Sequence, residues 1–250
     1  MDFNDHFSGH AGLYASARPD YPDELFELLV TLCTGRDLAW DCAAGNGQAA
    51  RGLLPYFTHV LATDASAEQI GQAYAPEKQA SRFNKAVMLA EQVALAEDSA
   101  DLVVIAQALH WLDMRKLRAE LDLVLRPGGI LAVWSYGTHQ LDEHCDEIVR
   151  QLYEDITGEY WPKQRRLVEN RYKDIDLPYN AIPVPAFKLQ KHWSIDQVLG
   201  YLRSWSGVQR YQDAQGSDPV LLVEENLRKA FGNEATRLIE WPLSLLVSQK

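Results

Sequence analysis

Cysteine is scarce: Cys33, Cys42 and Cys145 are the only three among 250 residues. They are odd in number, far apart and never in a C-x-x-C. That spacing excludes a disulfide framework and a cysteine zinc site, and it predicts reduced thiols in a cytoplasmic protein. Also missing is any run of roughly 18 apolar residues, so no membrane span and no membrane partner are expected. Residues 1–6 carry acids and no apolar stretch, unlike a signal peptide. No G-x-S-x-G occurs, no Cys/His nucleophile pair can be read, and no metal-ligand spacing is found. Positive charge is in short supply, with 24 Lys and Arg against 35 Asp and Glu, a net charge of −11. Such a balance argues against a nucleic-acid partner. The most basic run, Lys163-Gln164-Arg165-Arg166 followed by Arg171 and Lys173, is broken by acids and reads as a solvated helix face. Internal repeats and low-complexity tracts are absent.

What is present is enough for a sizeable core. Hydrophobic residues make up 47% of the chain and charged residues 24%, which fits one globular α/β domain over residues 1–250. Its most informative stretch is Leu38-Ala39-Trp40-Asp41-Cys42-Ala43-Ala44-Gly45-Asn46-Gly47. A short buried strand ends in an acid and breaks into a turn of small residues, which opens a helix over residues 48–54 that Pro55 stops. Small residues let a ligand approach the main chain, and a helix start offers unpaired N–H groups. Gly45-Asn46-Gly47-Gln48-Ala49-Ala50 also fits the dinucleotide pattern G-x-G-x-x-G/A, with Asp64 about 20 residues further on. The turn alone leaves three readings open: a dinucleotide site, another nucleoside site, or an ordinary strand-to-helix turn.

The rest of the chain supplies the architecture. Residues 7–21 read as a loop or irregular helix. Pro22 with Asp23 and Glu24 starts a helix whose Leu25, Phe26, Leu28, Leu29 and Leu32 form an apolar stripe, ended by Gly35. Residues 59–64 are a second strand ending in Asp64, followed by the capping box Ser66-Ala67-Glu68-Gln69. Residues 86–90 are a third strand. Residues 101–106 are a fourth, almost continuously apolar, as expected where both faces of a parallel sheet are covered. A helix over 112–125 follows, with Leu117, Leu121 and Val124 inward. Arg126-Pro127-Gly128-Gly129 breaks it, and residues 130–134 form a fifth strand. This rhythm predicts a doubly wound, mostly parallel sheet. Beyond Tyr136 the pattern changes. Residues 139–153 read as a helix, 158–185 as an irregular, aromatic- and proline-rich segment, and 187–193 as a strand. Ser194 caps a helix to about Trp205, residues 220–231 form another, and 241–248 read as a final strand.

Taken together, these motifs resemble the class I S-adenosylmethionine-dependent methyltransferases. Asp41-Cys42-Ala43-Ala44-Gly45-Asn46-Gly47 is similar to the family's first motif, an acid followed by G-x-G-x-G. Asp64 is similar to its ribose-binding acid. Ala90-Glu91 and Asp98-Ser99-Ala100-Asp101-Leu102-Val103-Val104 resemble its "AE…D-S-F-D-L-V" segment, and Leu125-Arg126-Pro127-Gly128-Gly129-Ile130-Leu131 its "L-R-P-G-G-x-L" turn. Phe7, Tyr14, Arg18-Pro19, Tyr21-Pro22, Gln107-Ala108-Leu109-His110-Trp111, Leu202-Arg203-Ser204-Trp205-Ser206 and Trp241-Pro242-Leu243 are similar to the branch of trans-aconitate methyltransferase-like (methyltransferase type 11) proteins. One departure stands out: Ala43 occupies the family's first glycine position, and alanine is tolerated there if φ stays negative.

The resemblance implies a seven-stranded Rossmann-like sheet with a helical lid after strand five. It divides the single domain into an arm and first helix (1–35), a donor-binding core (36–137), a lid (138–186) and the last strands and helices (187–250). It implies S-adenosyl-L-methionine as cofactor, held by Tyr14, Arg18, Asp41, Ala43, Gly45, Gly47, Asp64, Ala65, Ala90, Glu91 and Gln107. Asp64 would take the ribose hydroxyls, Asp41 the methionine amino group directly or through water, Arg18 the methionine carboxylate, and Glu91 the adenine side. Tyr21, His110 and Trp111 would face a small-molecule acceptor, with His110 as a base if the acceptor is a hydroxyl. Trp134, Tyr136, Tyr160, Trp161, Trp205 and Tyr211 are further candidates for an acceptor wall. The expected protein is a cytoplasmic monomer or homodimer that O-methylates a carboxylate or hydroxyl, or C-methylates. A nicotinamide-dependent oxidoreductase and a non-enzymatic S-adenosylmethionine-binding protein are the rivals. No catalytic triad is required, because a sulfonium methyl is already activated and orientation alone can contribute about 7–11 kcal/mol.

Overall fold

The structure, a computed structural model, describes residues 18–250. Tyr14 and Phe7 therefore lie outside the described residues. Helix α1 (Asp23–Leu32) starts behind Pro22, whose φ of −70° suits a helix entry, and carries Asp23 and Glu24 in its first turn. The sheet is built from β1 (Leu38–Cys42), β2 (His59–Asp64), β3 (Phe83–Val87), β4 (Ala100–Ala106), β5 (Leu125–Tyr136), β6 (Asn180–Ile182), β7 (Phe187–Trp193) and β8 (Arg237–Gln249). Between them run α2 (Gln48–Leu53), α3 (Ala67–Gly71), α4 (Met114–Val124), α5 (Glu143–Arg150), α6 (Arg165–Glu169), α7 (Ile195–Arg203), α8 (Ser206–Gln215) and α9 (Leu221–Phe231).

Strand order is β3-β2-β1-β4-β5-β8, and the far side of β8 pairs with both β6 and β7. β6 lies opposite Val247–Gln249 and β7 opposite Arg237–Leu243, so eight strands fill seven positions. The first five strands are mutually parallel, and β8 runs antiparallel to β5. The chain winds outward from β1 through β2 to β3, then returns to β4 on the other side. β1 and β4 thus meet at a topological switch point, and their carboxyl ends leave a crevice there.

Both faces of the sheet are covered, and the strand residues alternate between them. Ala39, Leu102, Val104, Ile130, Ala132 and Trp134 pack with α1, α2 and the C-terminal helices. Trp40, Cys42, Val103, Ile105, Leu131 and Val133 pack with Leu117, Leu121 and Val124 of α4. At the amino ends of the strands, buried Asp101 accepts from the N–H groups of Asp37 (2.7 Å) and Leu38 (3.0 Å) and pairs with Arg126 at 2.7 Å.

Several expected boundaries move. The third strand is Phe83–Val87, three residues earlier than its apolar run suggested; Ala90 lies in the loop beyond it. The last strand begins at Arg237, because β7 pairs along its whole early half. The helix after Ser194 ends at Arg203, and a separate α8 follows. Ser66 and Ser194 both cap as expected, the latter with the full reciprocal capping box. The segment 138–186, expected as a lid, contributes to both cores. Cys145, Ile148, Val149 and Leu152 belong to one core, Val168 and Tyr172 to the other. Among the described residues no helix is long and apolar enough to cross a membrane, and all three cysteines are free.

Candidate active site

A cavity of about 440 Å³ opens at the carboxyl ends of β1, β2, β4 and β5, the size of a small-molecule site. Its floor is the turn after β1. Four residues there or nearby hold left-handed backbone: Ala43 at φ +56°, Gly45 at +56°, Gly47 at +73° and Gln107 at +57°. The expectation of a negative φ at Ala43 is therefore corrected. The tight exit from β1 demands αL geometry, which an L-residue adopts at a cost of about 1–2 kcal/mol. Ala44 N–H donates to the Thr63 carbonyl at 2.8 Å, tying the turn to β2.

Two carboxylates organise this floor differently. Asp64 lines the cavity; its Oδ2 accepts from Gly45 N–H and its Oδ1 from Ser66 N–H, each at 2.8 Å. A carboxylate has about four lone-pair sites, enough to serve main-chain N–H groups and further donors together. Asp41 is fully buried and does not line the cavity. Its Oδ2 accepts from Ala50 N–H at 2.8 Å, fixing α2 against the end of β1, while its Oδ1 has no hydrogen-bond partner among the described residues. Burial pushes its pKa up to about 7, with the charge of Asp64 adding to the rise and the Ala50 N–H and Arg51 opposing it. An orphaned buried carboxylate oxygen is costly unless a cationic or donor group meets it.

Gly47, expected as a cofactor contact, is closely packed on its far side. It sits outside the cavity lining at φ +73°, where a Cβ would come within 2.9 Å of the Ala73 Cβ. Gln107 lines the cavity, but its carboxamide is spent on β5: Nε2 donates to the Tyr136 carbonyl (2.8 Å) and Oε1 accepts from Tyr136 N–H (3.0 Å). Ala65, Ala90 and Glu91 line the far end, where Glu91 Oε1 also accepts from Asp113 N–H at 2.9 Å and so ties this loop to the start of α4. Arg18, Tyr21 and Trp111 line the other side. Arg18 donates to the Tyr136 hydroxyl at 3.5 Å and stacks over Tyr201. Tyr21 packs edge-on against Trp134 at 5.3 Å.

His110, the candidate base, is engaged elsewhere. It is buried, off the cavity lining, with Nδ1 2.7 Å from the Tyr172 hydroxyl. Burial, with Arg165 and Arg18 nearby, lowers its pKa to about 3, so it stays neutral. Of the six candidate wall aromatics only Tyr136 lines the cavity; Trp134 and Trp205 are core, and Trp161, Tyr160 and Tyr211 pack in the C-terminal half. The sequence reading missed Ser66 and Gln69, which border Asp64, as well as Lys116 and Gln164. The capping box marked the first two. No local signal marks Gln164, which sits in an irregular segment.

The floor accordingly offers hydroxyl acceptors at Asp64, an unspent buried carboxylate oxygen at Asp41, and a cation at Arg18. That donor and acceptor set fits an adenosyl amino acid. Residues 40–133 match the family described as a methyltransferase domain. A Dictyostelium discoideum protein whose name assigns it to the methyltransferases is 32% identical over 256 residues, covering 99% of this chain and 96% of that one. The chain belongs to the class I S-adenosylmethionine-dependent methyltransferases. The solved structure of an Anaeromyxobacter dehalogenans protein named as a type II methyltransferase is similar to this methyltransferase at a TM-score of 0.84 and 35% identity, covering 93% of this chain and 97% of that chain. A Saccharomyces cerevisiae protein, named for S-adenosylmethionine-dependent methyl transfer, is 24% identical over 229 residues and covers 77% of each chain. The dinucleotide reading of the first turn gives way to this assignment, and with it the oxidoreductase rival.

Proposed function

We propose that this methyltransferase moves the methyl group to a small organic acceptor whose nucleophile is already an anion at neutral pH, with O-methylation of a carboxylate as the leading reaction. The observation that carries this reading is the state of the one expected base. His110 is off the cavity, engaged by Tyr172 and neutral far below pH 7. Among the described residues no histidine lines the cavity, and the carboxylates that do already accept main-chain N–H groups, two at Asp64 and one at Glu91. A neutral alcohol would need a proton acceptor beside it, whereas a carboxylate needs none.

The donor supplies a methyl group activated by its positive sulfur; the chain's own residues hold, orient and keep dry. Asp64 would accept from the ribose hydroxyls through charge-assisted bonds. Asp41 Oδ1 would meet the methionine ammonium, directly or through water, and Arg18 its carboxylate. The αL turn at Ala43 and Gly45 admits close main-chain approach, while Ala65, Ala90 and Glu91 border the base. Gln107 positions rather than binds, by clamping the end of β5. Tyr21 and Trp111 flank the acceptor side. The free thiols and the net charge of −11 support a cytoplasmic setting and a small-molecule partner over nucleic acid or membrane, as monomer or homodimer.

Calorimetric titration of S-adenosylmethionine and S-adenosylhomocysteine into wild type and Asp64→Ala tests the donor site. The variant is expected to lose about 1.5–3 kcal/mol, the worth of charged hydrogen bonds. A panel of small carboxylic acids against the matching alcohols then tests the acceptor, with turnover expected on acids alone. Turnover on alcohols with a base-like pH profile would overturn the anionic acceptor, and no donor binding would overturn the site.

A further inference from the structure

Among the described residues the cavity wall comes from the strand ends and residues 18–136 with a single exception. Beyond Tyr136, only Gln164 lines it. Gln164 immediately precedes α6, and its main-chain carbonyl accepts from Leu167 N–H at 3.0 Å. Among the described residues its carboxamide makes no hydrogen bond. The side chain is exposed, so a group that can both donate and accept lines the cavity where only water need be displaced to reach it.

The main chain that presents it is held at both ends. On one side, Arg165 lies over the rings of Trp161 (5.0 Å) and Tyr153 (5.6 Å), and its Nε donates to the Tyr153 hydroxyl at 2.9 Å. Trp161 is locked in turn: its Nε1 donates to the Tyr153 carbonyl at 2.9 Å, and its ring lies so close to Gly207 that a Cβ there would approach within 2.7 Å. On the other side, Arg171 and Tyr172 both take left-handed backbone, at φ +55° and +56°, and this turn delivers the fully buried Tyr172 to His110. Two successive non-glycine αL residues are costly and persist where the surroundings over-determine them. Such clamping leaves Gln164 a fixed backbone and an adaptable amide, the arrangement by which one polar group discriminates between ligands.

We propose that Gln164 is a specificity-determining residue for methyl transfer, and that its carboxamide hydrogen-bonds a carbonyl-type oxygen (carboxylate or ketone) on the acceptor, beside the atom that is methylated. The proposal rests on the methyl-transfer reading of the cavity. A carbonyl-type oxygen is favoured because the amide N–H can donate to it while the cations Arg18 and Lys116 line the same cavity. Gln164 makes no contact that the donor floor needs for its own structure.

The test uses the protein saturated with S-adenosylhomocysteine, titrated calorimetrically with glutarate, benzoate and 4-oxopentanoate as probes. Wild type, Gln164→Ala, Gln164→Glu and the exposed neighbour variant Lys163→Ala are compared. At least one probe should bind wild type and Lys163→Ala alike. Its affinity should fall about tenfold in Gln164→Ala, as one hydrogen bond to a charged partner implies. In Gln164→Glu, carboxylate probes should be lost while 4-oxopentanol, added as a neutral ketone control, is less affected. Affinity for S-adenosylhomocysteine should stay within about twofold in all four proteins, since a donor-site or folding defect would move it. Equal probe binding in wild type and both Gln164 variants would overturn the proposal. So would parallel loss of S-adenosylhomocysteine in the Gln164 variants, or a wild-type complex that binds none of the probes. Failure of wild type to bind S-adenosylhomocysteine at all would instead strike the reading beneath it.

Discussion

Asp41 shows how one buried carboxyl can join stability to ligand binding. In the unfolded chain it releases its proton near the ordinary value of 3.8, but in the folded protein only at about 7, chiefly because it is buried. Between those pH values the folded state binds more protons than the unfolded one, so stability falls as pH rises from about 4 to about 7 and then levels off. Asp41→Asn should abolish that slope. Urea denaturation at pH 5, 6, 7 and 8 is expected to show the variant gaining on wild type as pH rises, and parallel curves would contradict the burial of a charge there. The same residue predicts that a cationic donor, bound beside Oδ1, expels the proton. Titrations at pH 6 in buffers of different ionisation enthalpy should therefore record proton release on binding, absent in the variant. At this scale Ala43 is the counterpoint. It tolerates the αL conformation that glycine would adopt freely, and the turn keeps its shape because Thr63 and Asp64 of β2 accept from the Ala44 and Gly45 N–H groups and the Ala44 carbonyl accepts from Gly47 N–H.

At the scale of elements, the segment around α6 is held by few contacts of high individual weight. The His110–Tyr172 hydrogen bond joins that segment to the loop after β4, and both partners are buried. Tyr172→Phe keeps the ring but strips a buried imidazole nitrogen of its partner, at a cost of about 1–3 kcal/mol. The loss should be local. Amide exchange is expected to accelerate across residues 165–175 and around His110, with the sheet protected as before and S-adenosylhomocysteine affinity unchanged. Unaltered exchange would mean that the hydroxyl does not hold the segment. Elements defined by their own residues, such as α1 behind Pro22 or α7 behind the Ser194 capping box, follow the local pattern closely. β6 and α8 do not. Asn180-Ala181-Ile182 carries no strand periodicity of its own and becomes a strand because β8 offers an unpaired edge there.

Across the whole molecule, stability and function separate to opposite ends of the sheet. The amino ends of β1, β4 and β5 are riveted by Asp101, which holds the Asp37 and Leu38 N–H groups and Arg126. The carboxyl ends are left to the αL turn and the cavity. Arg126→Ala removes the partner of a carboxylate that is only 4% exposed. Because Arg126 itself is about one-third exposed (36%), the expected loss is screened to about 1–3 kcal/mol. Donor affinity at the other end should stay within about twofold. A fall in affinity comparable to the fall in stability would show that the two ends are coupled.

The sequence by itself determined the elements and residues whose signals are local. Strand-to-turn breaks named the β1 turn and Asp64, alternation and apolar runs named the parallel strands, and serine caps named the starts of α3 and α7. From these, the sheet class and the donor floor follow, because a parallel sheet with its switch point beside β1 leaves only one place for a ligand. Only the tertiary structure decided which of those residues touch the cavity. It set Asp41, Gly47 and His110 outside the cavity lining, tied the Gln107 carboxamide to β5, and gave two strands one shared edge. It also brought Gln164 to the cavity mouth from a stretch with no periodicity. The physical reason is common to all of these: side-chain direction, the sign of φ at a single turn residue, and the packing of one segment against another are set by contacts between residues far apart in the chain, which no local spacing records.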